Sequence, residues 1–244
     1  MDTSSLQRTV FPRDGKPGRL PYRPFVHGPP LALCGTLWVG THLWRVRRPP
    51  MSVVWNEVDA HGRERVNRVD RWARNWLRWR DTLKARALSN VMAHYLMPAS
   101  ATTVCLLGNR RAPGGPLADL LCIDEAVMYA GAVSQAVKLL LRRQRPFARF
   151  SPLGSTEPAK QPDDDNLSFF SSHTSTATAL ATVTFWLLRR RKVRSPLVPL
   201  LGLGALATGY LRIASDRHYL SDVLVGAAVG ATVGTAVPAL LHRA

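Results

Sequence analysis

From about residue 87 onward, the sequence alternates long apolar stretches with short loops that are rich in basic residues. The apolar stretches cover residues 87–108, 117–141, 174–188, 196–214 and 222–241. A helix needs about 20 residues to cross the ~30 Å hydrocarbon core of a bilayer, and the first, second and last stretches reach that length. This alternation favours an all-α fold, a multi-span transmembrane helical bundle of about five or six spans, over a soluble fold.

The last apolar stretch contains VGAAVGATVGTA (225–236), which is rich in glycine and alanine. Small side chains let two helices approach closely, so we expect this helix to pack tightly against a neighbour. A length of 244 residues suits one domain, or one domain with an extension. We therefore assign residues 86–244 to a membrane-embedded domain and residues 1–85 to an N-terminal extension.

The extension is dense in arginine and proline, and its first residues are predicted to be partly disordered. Residues 31–44 are apolar but short, and are marginal for a membrane span. Residues 65–86 have helical periodicity, and one face of this helix carries Val69, Trp72, Trp76, Trp79 and Leu83. Tryptophan opposite arginine is typical of an amphipathic helix that lies in a membrane interface. A helix docked on a protein core is the alternative.

The chain has 33 basic and 16 acidic residues, which gives a formal net charge of +17. This excess favours an anionic partner, such as a phosphorylated substrate, anionic lipid headgroups or a nucleic acid. A nucleic-acid partner would rest on charge alone, and we expect none because lipid headgroups and a phosphate site use much of that charge. The three cysteines lie in apolar surroundings without metal-ligand spacing and are predicted to be packing residues.

Three short polar stretches interrupt the apolar pattern, and the first is KLLLRRQRP. It places Lys138 and Arg145 seven residues apart, which is about two turns of a helix. Two cations on one face at the end of an apolar helix favour a phosphate as counter-charge. Arg142 and Arg143, which lie between them, are explained by side chains that reach from a membrane boundary into water.

The second stretch, FSSH, places His173 at the start of an apolar segment, directly after Ser171 and Ser172. One interpretation is a helix N-cap, in which a serine hydroxyl accepts backbone N–H groups and the histidine is merely nearby. The other is a proton donor beside an anion that is bound at a helix N-terminus. The segment by itself leaves both interpretations open.

The third stretch, LRIASDRHYLSD, contains Arg212, His218 and Asp222. Residues four apart are neighbours on a helix, so Asp222 can accept a hydrogen bond from one nitrogen of His218. That bond would fix the tautomer of the ring and leave the opposite nitrogen to act as a nucleophile. When the chain is followed through each reversal between helices, all three stretches arrive at one side of the bundle.

These blocks resemble the signature of the type 2 phosphatidic acid phosphatase superfamily, which also contains bacterial acid phosphatases and vanadium haloperoxidases. The family pattern is Lys, six residues, Arg-Pro; then Pro-Ser-Gly-His; then Ser-Arg, five residues, His, three residues, Asp. The chain matches every spacing inside the blocks and departs from the pattern at Phe170, Ser172 and Leu211. None of these departures removes a charged or proton-transferring group.

The resemblance implies a metal-independent phosphatase without a cofactor. His218 would be the nucleophile that forms a phosphohistidine, Asp222 would stabilise its imidazolium, and His173 would act as general acid and then as general base. The residues implied to bind the phosphate are Lys138, Arg145, Arg212, Ser171 and Ser172.

Apolar spans and a basic interfacial helix favour an integral membrane protein whose substrate is a lipid phosphate: phosphatidate, phosphatidylglycerol phosphate, or a polyprenyl phosphate or diphosphate. A phosphotransferase, a haloperoxidase and a non-catalytic basic membrane scaffold are the alternatives. The basic turn RRRKVR (189–194) faces away from the motifs. Basic loops prefer the cytoplasm, so we expect the active site on the extracytoplasmic face. Oligomeric state is not indicated by any of these patterns.

Overall fold

The structure is a computed structural model of the chain, and it describes residues 24–46, 52–59, 61, 63–108, 115–150, 165–193 and 195–241. These residues are mostly helical and form no β-strand. The helices are α1 (Pro24–Val46), α2 (Arg68–Leu77), α3 (Thr82–Val91), α4 (Met97–Gly108), α5 (Gly115–Leu141), α6 (Pro146–Phe150), α7 (Ser172–Arg190), α8 (Leu197–Ala214) and α9 (Leu220–Leu240). A π-helical turn, Met92–Leu96, joins α3 to α4.

Three described helices are long and apolar enough to cross a bilayer: Pro116–Leu141 within α5, Leu197–Ala214 and Leu220–Leu240. The described residues confirm the all-α fold and contain these three candidate membrane spans, whereas the count of five or six spans stays a prediction. The most polar of the long helices is α7, which contains several threonines and ends in two arginines. It packs against α4, α5, α8 and α9, and this central position shields its polar side chains from the surroundings of the bundle.

Helix α9 crosses α7 at close range because glycines occupy the facing side of α9. A Cβ atom on Gly230 would lie 2.2 Å from the carbonyl oxygen of Ser175. Cβ atoms on Gly226 and Gly234 would lie 2.7 and 2.6 Å from the carbonyl oxygens one turn to either side. Any larger residue would collide with backbone, so the crossing confirms the close contact predicted from the small residues. It also places the N-termini of α7 and α9 side by side.

The apolar core lies between α4, α5, α7, α8 and α9, toward the end of the bundle that is remote from the three motifs. Cys105, Cys122, Leu187 and Leu201 are at most 1% exposed there. Arg191, just beyond α7, donates to the buried carboxylate of Asp119 near the start of α5 at 2.5 Å. All three cysteines are buried and free, which confirms their prediction as packing residues.

The N-terminal extension differs from its prediction in the helix expected over 65–86. The prediction of one continuous helix is wrong, because α2 ends at Leu77 and α3 begins at Thr82. Between them, the Trp79 backbone N–H donates to the carbonyl oxygen of Ala214 at 3.0 Å, and the Asp81 side chain caps α3. The break lets both helices follow the end of α8. The stretch 31–44 lies inside the longer helix α1, and residues 1–23 lie outside the described part.

The face that α2 turns toward the bundle is polar. Asp70 and Ala73 are buried, and Arg74 donates two hydrogen bonds of 2.7 and 2.8 Å to the carboxylate of Asp216. On the opposite side, the side chains of Trp72 and Trp76 are 56% and 75% exposed. Helix α2 is therefore docked through charged side chains and leaves its aromatic face uncovered by the rest of the described chain.

Candidate active site

The C-terminal end of α5 and the N-terminal ends of α7 and α9 meet at a cavity of about 260 Å³. The cavity is lined by Arg86, Asn90, His94, Lys138, Arg145, Ser172, His173, Arg212, Arg217 and His218. Six of the eight site residues proposed from the sequence are in this set. The other two, Ser171 and Asp222, lie behind the wall of the cavity and are fully buried.

The wall of the cavity is strongly cationic. Lys138, Arg145 and Arg212 are only 6%, 3% and 4% exposed, and among the described residues the lining contains no carboxylate. Ser89 of α3 accepts a hydrogen bond of 3.1 Å from the guanidinium of Arg212, which fixes the direction of this side chain. Partly desolvated cations that converge in this way are suited to a phosphoryl group, whose oxygens they can bind directly.

His218 presents Nε2 to the cavity. A guanidinium can only donate hydrogen bonds, so the 3.3 Å contact between Arg145 and Nε2 makes Nε2 the acceptor and places the ring proton on Nδ1. Burial, followed by the charges of Arg145, Arg212 and Lys138, lowers the pKa of His218 well below its ordinary value of 6.5. The ring is therefore neutral at neutral pH, with a lone pair directed at the cavity.

Asp222 lies behind His218. Its Oδ2 is 3.5 Å from His218 Nδ1, which is longer than a formed hydrogen bond, so the bond between them stays a prediction. The same Oδ2 accepts the Ser168 hydroxyl at 2.5 Å and the Tyr219 backbone N–H at 3.0 Å. Its Oδ1 accepts from Arg143 at 2.6 Å. Asp222 is thus held from several directions with one edge toward the imidazole.

His173 lies in the first turn of α7, on the cavity wall. Its Nε2 is 3.0 Å from Oδ1 of Asn90. An amide oxygen only accepts, so Nε2 carries a proton. The ring of His94 packs edge-on against it, with the two ring centroids 4.9 Å apart. This geometry presents an N–H of His173 to the cavity. General-acid catalysis requires the doubly protonated ring, and a bound phosphate anion would favour that form.

The two serines before His173 have different surroundings. Ser171 is the N-cap of α7, and its side chain accepts from Thr174 N and from the Thr174 hydroxyl. Ser172 lines the cavity and shares a 2.6 Å hydrogen bond with the hydroxyl of Ser134 in α5. The helix-cap and proton-donor interpretations of FSSH are therefore compatible, because the cap is Ser171 and the imidazole of His173 faces the cavity.

Sequence reasoning missed the wall of the cavity that α3 and the π-helical turn provide. Arg86, Asn90 and His94 follow one another at intervals of four residues and line the cavity together. That interval was the available signal, since residues spaced by four on a helix lie on a common face. Arg217 was also missed; its guanidinium stacks 4.2 Å above the ring of Phe147.

The interpretation of Arg143 as a side chain that reaches into water is wrong. Its side chain is 1% exposed and binds the carboxylates of Glu57, Asp70 and Asp222. Its backbone turns away from α5 just after Arg142, whose φ of 40° is in the left-handed region. The side chain is thereby directed into the protein, where these carboxylates compensate its charge.

Residues 119–244, more than half of the chain, match the family described as the PAP2 superfamily. The chain belongs to the PAP2 superfamily. This confirms the resemblance recognised in the three motifs, all of which lie inside the matched region. The extension, α3 and the π-helical turn precede the PAP2 match.

Relatives of this PAP2 protein include phosphatases. It is 33% identical over 156 residues to the decaprenylphosphoryl-5-phosphoribose phosphatase of Mycobacterium tuberculosis, in two strains. The aligned region covers 63% of this chain and 76% of that enzyme. Among solved structures, the crystal structure of Aquifex aeolicus LpxE is similar, with a TM-score of 0.48 and 20% identity. That similarity covers 69% of this chain and 91% of LpxE.

Proposed function

We propose that this PAP2 protein hydrolyses lipid phosphates through a phosphohistidine formed on His218. The observation that carries the proposal is the arrangement of the buried cavity. The unprotonated Nε2 of His218, the protonated Nε2 of His173 and three buried cations face one small space. A nucleophile, a proton donor and an anion site together are what phosphoryl transfer to a histidine requires.

In the first step, His218 Nε2 attacks phosphorus, and the bond between phosphorus and the lipid oxygen breaks. His173 enters this step as the doubly protonated imidazolium and gives one proton to the departing oxygen, and Asp222 stabilises the positive charge that develops on His218. In the second step, His173 takes a proton from water, whose oxygen attacks the phosphohistidine. The nitrogen–phosphorus bond then breaks, phosphate leaves, and both histidines return to their starting states.

Lys138, Arg145 and Arg212 bind the non-bridging oxygens in this mechanism. They are in place before the substrate enters, so they stabilise the charge of the transition state with little reorganisation. Ser172 and the N–H groups at the start of α7 add donors on the same side. Ser171, which the resemblance places in the phosphate site, contributes by capping α7. The cations neutralise the phosphoryl group, so the proposed reaction includes no metal ion or cofactor.

The choice among lipid phosphates rests on charge beyond the three motif cations. Arg86 and Arg217 also line the cavity, and they favour a substrate with negative charge in addition to the reacting phosphate. A polyprenyl diphosphate, or a sugar phosphate joined to a polyprenyl phosphate, has this property. The name of the Mycobacterium tuberculosis relative specifies a substrate with both a decaprenylphosphoryl group and a 5-phosphate.

We further propose that the chain is an integral membrane protein of five or six spans. Its site opens on the extracytoplasmic face. The basic residues Arg189–Lys192 lie at the C-terminal end of α7, which is the end of the bundle remote from the cavity, and basic loops prefer the cytoplasm. The exposed face of α2, with Trp72 and Trp76, lies in the membrane interface. A lipid can then present its phosphate to the cavity while its chains remain in the bilayer.

The proposal is tested with purified protein in detergent and a panel of lipid phosphates that includes phosphatidate, phosphatidylglycerol phosphate, a polyprenyl monophosphate, a polyprenyl diphosphate and a polyprenylphosphoryl sugar phosphate. Phosphate release is expected with lipid substrates, fastest for those with the additional charge, and is expected to persist in EDTA. Activity that requires added Mg²⁺, or no phosphate release from any member of the panel, would overturn the proposal.

A further inference from the structure

Arg143 lies between two cations of the phosphate site in sequence but is turned away from the cavity. Its Nε donates to Glu57 at 2.5 Å, and one terminal nitrogen donates to Asp70 at 3.0 Å. The other terminal nitrogen donates to Asp222 at 2.6 Å and to the Ser221 hydroxyl at 2.8 Å. The planar fork of a guanidinium is suited to such a task, because its donors have fixed directions.

The surroundings of Arg143 leave its guanidinium little freedom. Its central carbon is 4.0 Å from the ring centroid of Tyr219 and 4.6 Å from that of Trp55. The guanidinium and its three carboxylate partners are all at most 1% exposed. The carboxylates raise the pKa of Arg143 against the lowering effect of burial, so the group stays charged. The position of the Asp222 carboxylate therefore depends on where this guanidinium is held.

Two of the three carboxylates come from the N-terminal extension. The backbone N–H of Trp55 donates to the carbonyl oxygen of Leu141, at the end of α5, which brings Glu57 beside Arg143. Asp70, in the first turn of α2, accepts from the backbone N–H and the hydroxyl of Ser221 at 2.7 and 2.6 Å. The extension is thus attached both to the residue that contacts Asp222 and to the helix that carries Asp222.

We propose that Arg143 is a positioning residue for the reaction, held by Glu57 and Asp70 and holding Asp222 against His218. The N-terminal segment from Trp55 to Asp70 is then a working part of the active site, although it precedes the region matched by the PAP2 family. This inference rests on the proposed function, because positioning Asp222 matters for activity only if His218 reacts.

The charges around His218 give the proposal a definite sign. His218 lies between Asp222 on one side and Lys138, Arg145, Arg212 and His173 on the other. Arg143 offsets part of the negative charge of Asp222. Its replacement by glutamine leaves Asp222 less compensated, which favours protonation of His218. Glu57→Gln and Asp70→Asn disfavour protonation of His218. Each removes a carboxylate that competes for Arg143, so the positive charge of Arg143 offsets more of the charge of Asp222.

The first experiment measures kcat, KM and the pH dependence of kcat/KM for Arg143→Gln on the preferred lipid phosphate. We expect kcat to fall about 10- to 100-fold, the range found for groups that orient ligands in metal sites. KM should change little, because Lys138, Arg145 and Arg212 are intact, and the acid limb of kcat/KM should move to higher pH. The matched control is Arg142→Gln, since the Arg142 side chain bonds to the Leu139 carbonyl oxygen of its own helix. This control is expected to match the wild type.

A double-mutant cycle separates positioning from general stability. In an Asp222→Asn background, Arg143→Gln should cause no further loss of kcat, because the group through which it acts has been altered. Arg143→Lys keeps the charge but loses the fork, so it should lower kcat without moving the acid limb. If Arg143→Gln does not fold, kcat is measured for Arg143→Lys and Asp70→Asn in its place. Wild-type kcat in both of these variants, or losses of kcat that multiply when Arg143→Gln is combined with Asp222→Asn, would overturn the proposal.

A measurement without substrate separates this inference from the proposed function. Histidine-selective ¹⁵N NMR in detergent follows protonation of His218, whose signal is identified by its loss in His218→Gln. The titration midpoint should rise in Arg143→Gln and should not rise in Glu57→Gln. An unchanged midpoint in Arg143→Gln refutes the positioning role alone. A wild-type protein that releases no phosphate refutes the proposed function, and the NMR result still decides whether Arg143 acts on His218.

Discussion

The backbone N–H of Ser171 donates a hydrogen bond of 3.1 Å to the carbonyl oxygen of Asp222. Ser171 precedes His173 by two residues, and Asp222 follows His218 by four. One backbone contact therefore joins the two motifs that carry the imidazoles. The spacing of the site depends on the crossing of α7 and α9, which the glycines of α9 make possible.

The crossing predicts a strong effect of a small substitution. In Gly230→Val, the new side chain meets the carbonyl oxygen of Ser175, which belongs to helix backbone and cannot move aside. We expect the free energy of unfolding to fall by about 1–3 kcal/mol or more and activity to fall with it. Gly202→Val in α8 is the control, because a Cβ atom there meets nothing within 4 Å. Thermal unfolding in detergent measures both, and equal Tm values would contradict the close crossing.

The lowered pKa of His218 predicts a loss of stability in acid. The folded protein keeps His218 neutral, whereas the unfolded chain protonates it below about pH 6.5. Between the folded-state pKa and pH 6.5, the unfolded state binds more protons, so stability falls as the pH falls through that range. The Tm of His218→Gln, which lacks this group, should decline less below pH 6.5 than that of the wild type. An equal decline in the two proteins would count against a neutral, buried His218.

The three motif cations are predicted to act mainly on the transition state. Arg212→Gln removes a charge that Ser89 holds in the cavity wall, and we expect kcat/KM to fall roughly 100-fold, as for the loss of one oxyanion donor. Arg189→Gln, at the opposite end of α7, removes the same charge far from the cavity and should retain activity. Steady-state kinetics on one lipid phosphate compare the two variants. Equal effects would mean that charge acts through the whole protein rather than through the cavity.

The aromatic face of α2 gives a prediction about the membrane. In vesicles that contain brominated lipids, the fluorescence of exposed tryptophans at the interface is quenched. The double variant Trp72→Ser, Trp76→Ser should lose the most strongly quenched part of the emission and should keep its Tm, because both side chains are exposed. Quenching that is the same in the variant and the wild type would place this face outside the bilayer interface.

The long helices of the bundle could be predicted from the sequence, because each is a mostly apolar run of residues. The ends of α5, α8 and α9 lie within two residues of the ends of the apolar stretches identified in the sequence. The motif spacings are local, and six motif residues meet at the cavity because the helices between them reverse direction. The orientation of helix α2 did not follow from its sequence, because hydrophobic periodicity identifies an apolar face without showing what covers it. In the structure, the charged pair of Arg74 and Asp216 docks that helix.

The contacts of Arg143 could not be inferred from the same patterns. Its carboxylate partners Glu57 and Asp70 are 86 and 73 residues away in the chain, and neither lies in a motif. Charge pairs between residues so far apart in sequence depend on the conformation of the connecting loops, which hydrophobic periodicity does not indicate. The Asn90 contact to His173 belongs to the same class, since it joins residues 83 positions apart.

The most direct test of the account is to trap the phosphorylated enzyme. Protein mixed with a lipid phosphate that carries a radiolabelled phosphoryl group is quenched during the first turnovers, and the label is located by peptide mapping. We predict that the label is on His218 and that it is stable in alkali and labile in acid. The His218→Ala protein should carry no label and should retain no more than roughly one thousandth of the wild-type turnover. A folded His218→Ala protein that still releases phosphate, or label on a different residue, would contradict the account.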